Sequence, residues 1–101
     1  MSTSFEYGGL MFEWDENKNQ SNIRKHGISF EEAAEVFSDV NAVVIPDSEH
    51  SYNEERFTII GFSEEDKLLT VCHCKRQSGE ITRIISARKV TRIERNLYGG
   101  Y

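Results

Sequence analysis

The sequence predicts an α+β domain in which helices pack on an antiparallel sheet, in the order β-α-α-β-β-β-α. Two observations point there. Between Ser29 and Phe37 the apolar residues recur at helical spacing, whereas from Arg56 to Ala87 they alternate or run in strand-length blocks. The breaks between those blocks, Glu64-Glu65-Asp66 and Gln77-Ser78-Gly79-Glu80, are short enough to join antiparallel neighbours. A length of 101 residues fits one domain with a single modest core.

Met1 to Leu10 carries Ser, Thr and Gly8-Gly9 without clear periodicity. It is expected to be a flexible extension (1–10) ahead of one domain (11–101), with Met11 as an alternative start. Phe12-Glu13-Trp14 alternates apolar and polar and predicts a short edge strand. Asp15 stands where a helix N-cap belongs, before a segment Glu16 to His26 that opens acidic and closes basic. Gly27 suits the residue after that helix. Ile23 is its main apolar residue, which predicts an outer position.

Ser29 and Glu32 have capping-box spacing, and Phe30, Ala33, Ala34 and Phe37 form one apolar stripe. Asp39 and Asn41 end this second helix. Ala42–Ile45 is then a short β-rich run closed by Pro46, and strands are expected over Arg56–Phe62, Lys67–Lys75 and Ile81–Ala87, with Asp47–Glu55 as a polar loop. A last helix spans Val90–Leu97, before Gly99-Gly100.

Composition narrows the function classes. With 38% hydrophobic and 29% charged residues the chain reads as soluble and globular. No apolar run approaches the roughly 20 residues of a membrane span, and the first ten residues do not read as a secretory signal. Cys72 and Cys74, two apart on one predicted strand, are badly placed for a mutual disulfide, so a reducing cytoplasm fits. A net charge of −5 argues against a general nucleic-acid binder. Yet Lys75 to Arg95 holds seven cations and two carboxylates, a local +5 that leaves −10 for the remainder. Arginine in such a strand-to-helix segment can neutralise phosphate, dock an acidic partner, or merely face solvent.

Each candidate for chemistry has a structural alternative. His26 closes the first helix, where an imidazole interacts with the last carbonyls. Cys72-His73-Cys74 invites a metal reading, but alternation puts His73 opposite both cysteines and no second ligand pair follows. No Gly-rich phosphate loop, nucleophile elbow or H-E-x-x-H occurs. What remains is Glu54, Glu55, Arg56, Arg83, Arg88, Arg92, Glu94 and Tyr98. Arginines with a carboxylate or tyrosine on one sheet face can cleave a phosphodiester without metal. The cations stabilise the phosphorane and a base takes the 2′-hydroxyl proton.

Taken together, Phe12-Glu13-Trp14-Asp15, Lys18, Asn22, Lys25-His26-Gly27, Ser29-Phe30-Glu31-Glu32-Ala33 and Val36-Phe37 resemble the opening of the BrnT family. Glu55-Arg56-Phe57, Gly61, Arg83-Ile84-Ile85-Ser86-Ala87-Arg88-Lys89, Glu94-Arg95 and Tyr98 resemble its second half. The resemblance implies a RelE-like fold and a ribonuclease toxin of a bacterial type II toxin–antitoxin system that arrests translation by cutting RNA. It also implies a BrnA-like ribbon-helix-helix antitoxin in a two-plus-two complex, which reaches operator DNA only through the antitoxin. No cofactor or metal is implied.

Carried over residue by residue, Arg83 and Arg88 bind phosphate, Arg56 is a further cation and Glu55 a candidate base. Tyr98 stacks on a base or donates a proton to the leaving oxygen. Lys18, His26, Lys89 and Arg92 are secondary RNA contacts. Val90 and Ile93 depart from the smaller, more polar residues of the family's last helix, and the acidic remainder departs from a strongly basic surface. The alternative is a catalytically degenerate binding module acting only in antitoxin binding and operon regulation. A small adaptor unrelated to toxins stands third.

Overall fold

The computed structural model describes residues 1–51 and 53–99. Tyr52, in the expected polar loop, and Gly100, expected to follow the last helix, lie outside the described residues. The chain is mixed α+β: a six-stranded sheet with three helices. The strands are β1 (Ser2–Tyr7), β2 (Leu10–Asp15), β3 (Val43–Pro46), β4 (Arg56–Phe62), β5 (Leu68–Arg76) and β6 (Ile81–Lys89). The helices are α1 (Glu16–His26), α2 (Phe30–Glu35) and α3 (Arg92–Tyr98). The order across the sheet is β1-β2-β6-β5-β4-β3.

Two expectations are corrected at the N-terminus. Residues 1–10, expected to be a flexible extension, contain strand β1, which pairs antiparallel with β2 from Ser2↔Asp15 to Tyr7↔Leu10. Gly8 and Gly9, at φ +59° and +80°, make the two-residue turn that such a hairpin needs. Thr3, Phe5 and Tyr7 form its inward face, and the Phe5 ring lies 5.6 Å from that of Trp14. Strand β2 is therefore interior, not an edge. It also pairs parallel with β6, at Phe12↔Thr82 and Glu13↔Arg83, so the sheet is not wholly antiparallel. The element order is β-β-α-α-β-β-β-β-α, with one more strand on each side of α1 and α2 than expected.

Helix α1 starts and stops as its sequence requires. The Asp15 carboxylate accepts from the Asn17 N–H, and Gly27 at φ +70° donates its N–H to the Ile23 carbonyl. It lies on the outside, as expected, and its attachment is polar. Ile23 is 37% exposed, and the buried contacts are made by Asn19 and Asn22. The Asn19 side chain accepts from the Phe30 N–H at 2.8 Å. Asn22 donates to the carbonyls of Ile28 and Ala87 at 2.9 and 2.7 Å and accepts from the Ala87 N–H at 3.1 Å. It thus satisfies the β6 backbone beyond the last residue that β2 pairs, replacing a strand neighbour with an amide.

Ser29 caps α2 through the Glu32 N–H, but the Glu32 carboxylate turns away to accept from Ser63 Oγ at 2.9 Å. After Glu35 the helix tightens into a 3₁₀ turn, Val36–Ser38. The predicted stripe faces inward: Phe30, Ala33 and Ala34 are buried and Phe37 packs against them. With Phe12, Trp14, Ile59, Leu69, Val71, Ile84 and Ala87 they form the core between α2 and one sheet face. Helix α3 begins two residues later than expected because Thr91 caps it. Its hydroxyl accepts from the Glu94 N–H and the Glu94 carboxylate accepts from the Thr91 N–H.

One irregularity sets the chemistry of the opposite sheet face. Cys72 pairs with Ser86 and His73 with Ile84, so Ile85 is an extra residue in β6, a β-bulge. On a regular strand Arg83 and Arg88, five positions apart, would face opposite ways. The bulge resets the alternation. Ile84 and Ala87, three apart, both enter the core, while Arg83 and Arg88 both lie on the other face, opposite Cys74 and Thr70.

Candidate functional site

That second face carries a cleft of about 260 Å³ lined by Asp47, His50, Arg56, Thr58, Thr70, Cys72, Ile85, Ser86 and Arg88. Its floor is the polar side of β4, β5 and the bulge of β6. Arg56 opens β4, and cross-strand pairing sets Glu13, Arg83, Cys74 and Arg56 in one row. Thr58, Cys72 and Ser86 make the next row, and Thr70 pairs with Arg88 in the row below.

The two cleft arginines differ in state. Arg88 holds the Glu94 carboxylate with both ends of its guanidinium, Nη1 to Oε1 at 2.8 Å and Nη2 to Oε2 at 2.9 Å. Glu94 also accepts from Thr70 Oγ1 at 2.9 Å. The pairing with Arg88 outweighs partial burial and holds the Glu94 carboxyl at about 2. Arg56 makes no ion pair among the described residues, and its Nε–H is buried without an acceptor. An unpartnered guanidinium N–H beside a cleft is a site prepared for an anion.

The loop before β4 brings a second group. Asp47 follows β3, and the 3₁₀ turn Ser48–His50 returns His50 to it, with His50 Nδ1 3.0 Å from each carboxylate oxygen. The turn is fastened to Arg56. The Asp47 N–H donates to the Arg56 carbonyl at 2.8 Å, and Ser51 Oγ accepts from the Arg56 N–H at 3.0 Å while donating to the Asp47 carbonyl at 2.7 Å. Burial and the Asp47 charge push the Cys72 thiol up, so it stands in the cleft as a neutral thiol. Among the described residues no three His, Cys, Asp or Glu side chains converge as metal ligands.

Of the residues singled out from the sequence, the cleft gathers Arg56 and Arg88. Arg83 lies on the same face in the row of Arg56 but does not line the cleft, and it is bonded to Glu13 Oε2 at 2.8 Å. Glu55 is exposed and does not line the cleft. Tyr98 faces the far end of β4, where its hydroxyl donates to Asp39 Oδ2 at 2.7 Å and its ring meets Phe62 edge-on. Lys89 and Arg92 are exposed near the start of α3, and Lys18 and His26 are exposed on α1. His73 lies in the core against Phe37, opposite Cys72, as the alternation requires. Asp47 and His50 were not singled out. Their signal was an Asp and a His three apart in a polar loop, a spacing that becomes legible only once Arg56 is known to anchor that loop.

A family model described as the ribonuclease toxin BrnT of a type II toxin–antitoxin system matches residues 14–94, from β2 into α3, leaving β1 outside the matched span. The chain is also similar to the Brucella abortus ribonuclease toxin BrnT, known from a 1.1 Å crystal structure. The TM-score is 0.60 at 27% identity, covering 78% of this chain and 94% of that one. No curated protein sequence matches.

Proposed function

The chain belongs to the BrnT family of ribonuclease toxins of type II toxin–antitoxin systems, and from that premise we propose that it cleaves RNA in the cleft between Arg56 and Arg88. The observation that carries this reading is the Arg56 Nε–H, buried without an acceptor among the described residues, beside a cleft whose other wall is a second arginine. A backbone phosphate docks on Arg56, and Arg88, aimed by Glu94, meets the charge that builds on the phosphorane. Arg83 extends the cationic face toward the next phosphate, while Lys89, which lines a separate hollow with Asp66, Lys67, Leu68 and Arg95, and Arg92, on α3, are left as outlying RNA contacts. Glu55 and Tyr98 stand outside this reading, since neither lines the cleft. With charge stabilisation assigned to guanidinium groups, the 2′-hydroxyl attacks the adjacent phosphate without a metal ion.

The partner in this reading is a BrnA-like ribbon-helix-helix antitoxin that neutralises the toxin in a two-plus-two complex and carries it to operator DNA. The setting is the cytoplasm, and no described helix is long and apolar enough to cross a membrane.

A second reading, a degenerate module that keeps only antitoxin binding, is favoured by the occupation of Arg88 by Glu94 and by the net charge of −5. Incubating antitoxin-free protein with end-labelled RNA in excess EDTA separates the two. Fragments ending in 2′,3′-cyclic phosphate are expected. Intact RNA, with ribosomes absent and then present, would move the assignment to the second reading.

A further inference from the structure

We propose that His50, oriented by Asp47, is the general base that takes the 2′-hydroxyl proton in this cleft. The inference rests on the ribonuclease reading above and names a residue that the family resemblance did not supply.

Three observations converge. The chain has three histidines; His26 is exposed on α1 and His73 is buried in the core, so only His50 lines the cleft. Asp47 faces His50 Nδ1 with both oxygens at 3.0 Å, which favours the tautomer with the proton on Nδ1 and the lone pair on Nε2. The turn bearing both residues is bonded to the backbone N–H and C=O of Arg56, the same residue whose Nε–H has no acceptor among the described residues. Base and phosphate cation are therefore held by one short piece of backbone. The other titratable or charged groups lining the cleft are Asp47, Cys72, Arg56 and Arg88. Cys72 is a protonated thiol and the arginines cannot accept a proton. Asp47 already accepts from the imidazole, from its own side of the turn.

The step balances without any added reagent. Nε2 takes the proton of the 2′-hydroxyl, the 2′-oxygen bonds to phosphorus, and the bond from phosphorus to the 5′-oxygen breaks. The 5′-oxygen leaves with a proton from the imidazolium or water, giving a 2′,3′-cyclic phosphate and a 5′-hydroxyl. Asp47 is a positioning residue that fixes the ring and stabilises the imidazolium.

The test uses the full chain and an end-labelled RNA oligonucleotide in EDTA across a pH series, with wild type, His50→Ala, Asp47→Asn and Asp47→Glu. His50 is exposed on a turn, and a circular dichroism melt verifies that each variant folds. The expected result is a loss of about 10²–10⁴-fold in kcat for His50→Ala, with KM little changed. The rise of rate with pH in the wild type should vanish in that variant, and added imidazole should restore part of the activity. Asp47→Asn should lower kcat and Asp47→Glu should recover part of it. A folded His50→Ala with wild-type rate and pH profile overturns this assignment alone and leaves the cleft reading standing. An intact substrate with the wild type itself overturns both.

Discussion

Arg88 and Glu94 meet end-on through two hydrogen bonds, and the same carboxylate closes the cap of α3 and takes the hydroxyl of Thr70. One of the two cleft arginines and the start of the last helix are thus one structural unit. Its pH dependence follows from the Glu94 carboxyl, held at about 2 by Arg88. A folded-state value below the unfolded one contributes stability that is complete above about pH 5 and is lost as pH falls toward 2. Glu94→Gln should cost about 1–3 kcal/mol at pH 7, because Arg88 loses its counter-charge and the cap is weakened. Urea melts of both proteins should converge as the pH is lowered through that window. Parallel curves would sink the account.

Arg56 should behave in the opposite way. Its guanidinium has no ion-pair partner among the described residues and buries one unsatisfied N–H, so removal orphans no carboxylate. Arg56→Met keeps the aliphatic bulk and should change stability by no more than about 0.5 kcal/mol. RNA affinity should fall about tenfold or more, the loss of a charge-assisted phosphate contact. Fluorescence anisotropy with a labelled RNA, set beside a melt, reads both. A variant that binds RNA as before, or that unfolds, would contradict the role given to this residue.

The contrast between these arginines shows how far the sequence could be read. Local signals survived folding: the Asp15 and Ser29 caps, the Phe30–Phe37 stripe and the bounds of β4 all reflect interactions within a few residues. What escaped depends on distant chain. The bulge at Ile85 exists only relative to β5, yet it decides that Arg83 and Arg88 share a face. The parallel pairing of β2 with β6 joins residues about seventy positions apart, and no local pattern encodes it. Asn22 looks like an ordinary helix-surface residue until the Ala87 backbone is placed beside it. The β1 hairpin was the exception, because Gly8-Gly9 between Tyr7 and Leu10 is itself a turn signal.

Asn22 is for that reason a sharp test of the fold. Its amide makes three hydrogen bonds in a buried setting, two of them to the N–H and C=O of Ala87. Asn22→Ala leaves those groups and the Ile28 carbonyl without protein partners and should destabilise by about 2–4 kcal/mol. Asn22→Asp retains one acceptor but sets a carboxylate against two carbonyl oxygens, so it should be no better. Hydrogen exchange adds a local readout: the Ala87 amide should lose protection beyond the global change. Loss of less than about 0.5 kcal/mol would mean that water replaces the amide at no cost.

His73 supplies an acid-side prediction independent of the cleft. The ring is 2% exposed, edge-on to Phe37 at 4.8 Å and tilted against Phe57 at 6.0 Å. Burial pushes its imidazole down to about 4, partly countered by the hydrogen bond to the Val71 carbonyl. The unfolded chain, with an ordinary imidazole near 6.5, therefore binds the proton first as pH falls. Stability should be complete above about pH 7 and decline from there toward pH 4, a window higher than that of Glu94. His73→Phe fits an aromatic environment and removes the titrating group, so its melting temperature should be flat between pH 7 and pH 5 where the wild type declines. Because His73 lies on the opposite face from Arg56 and His50, RNA cleavage by this variant should keep the wild-type pH profile. A variant that changed that profile while leaving the pH dependence of stability intact would place the titrating imidazole of the reaction in the core, against the geometry of β5.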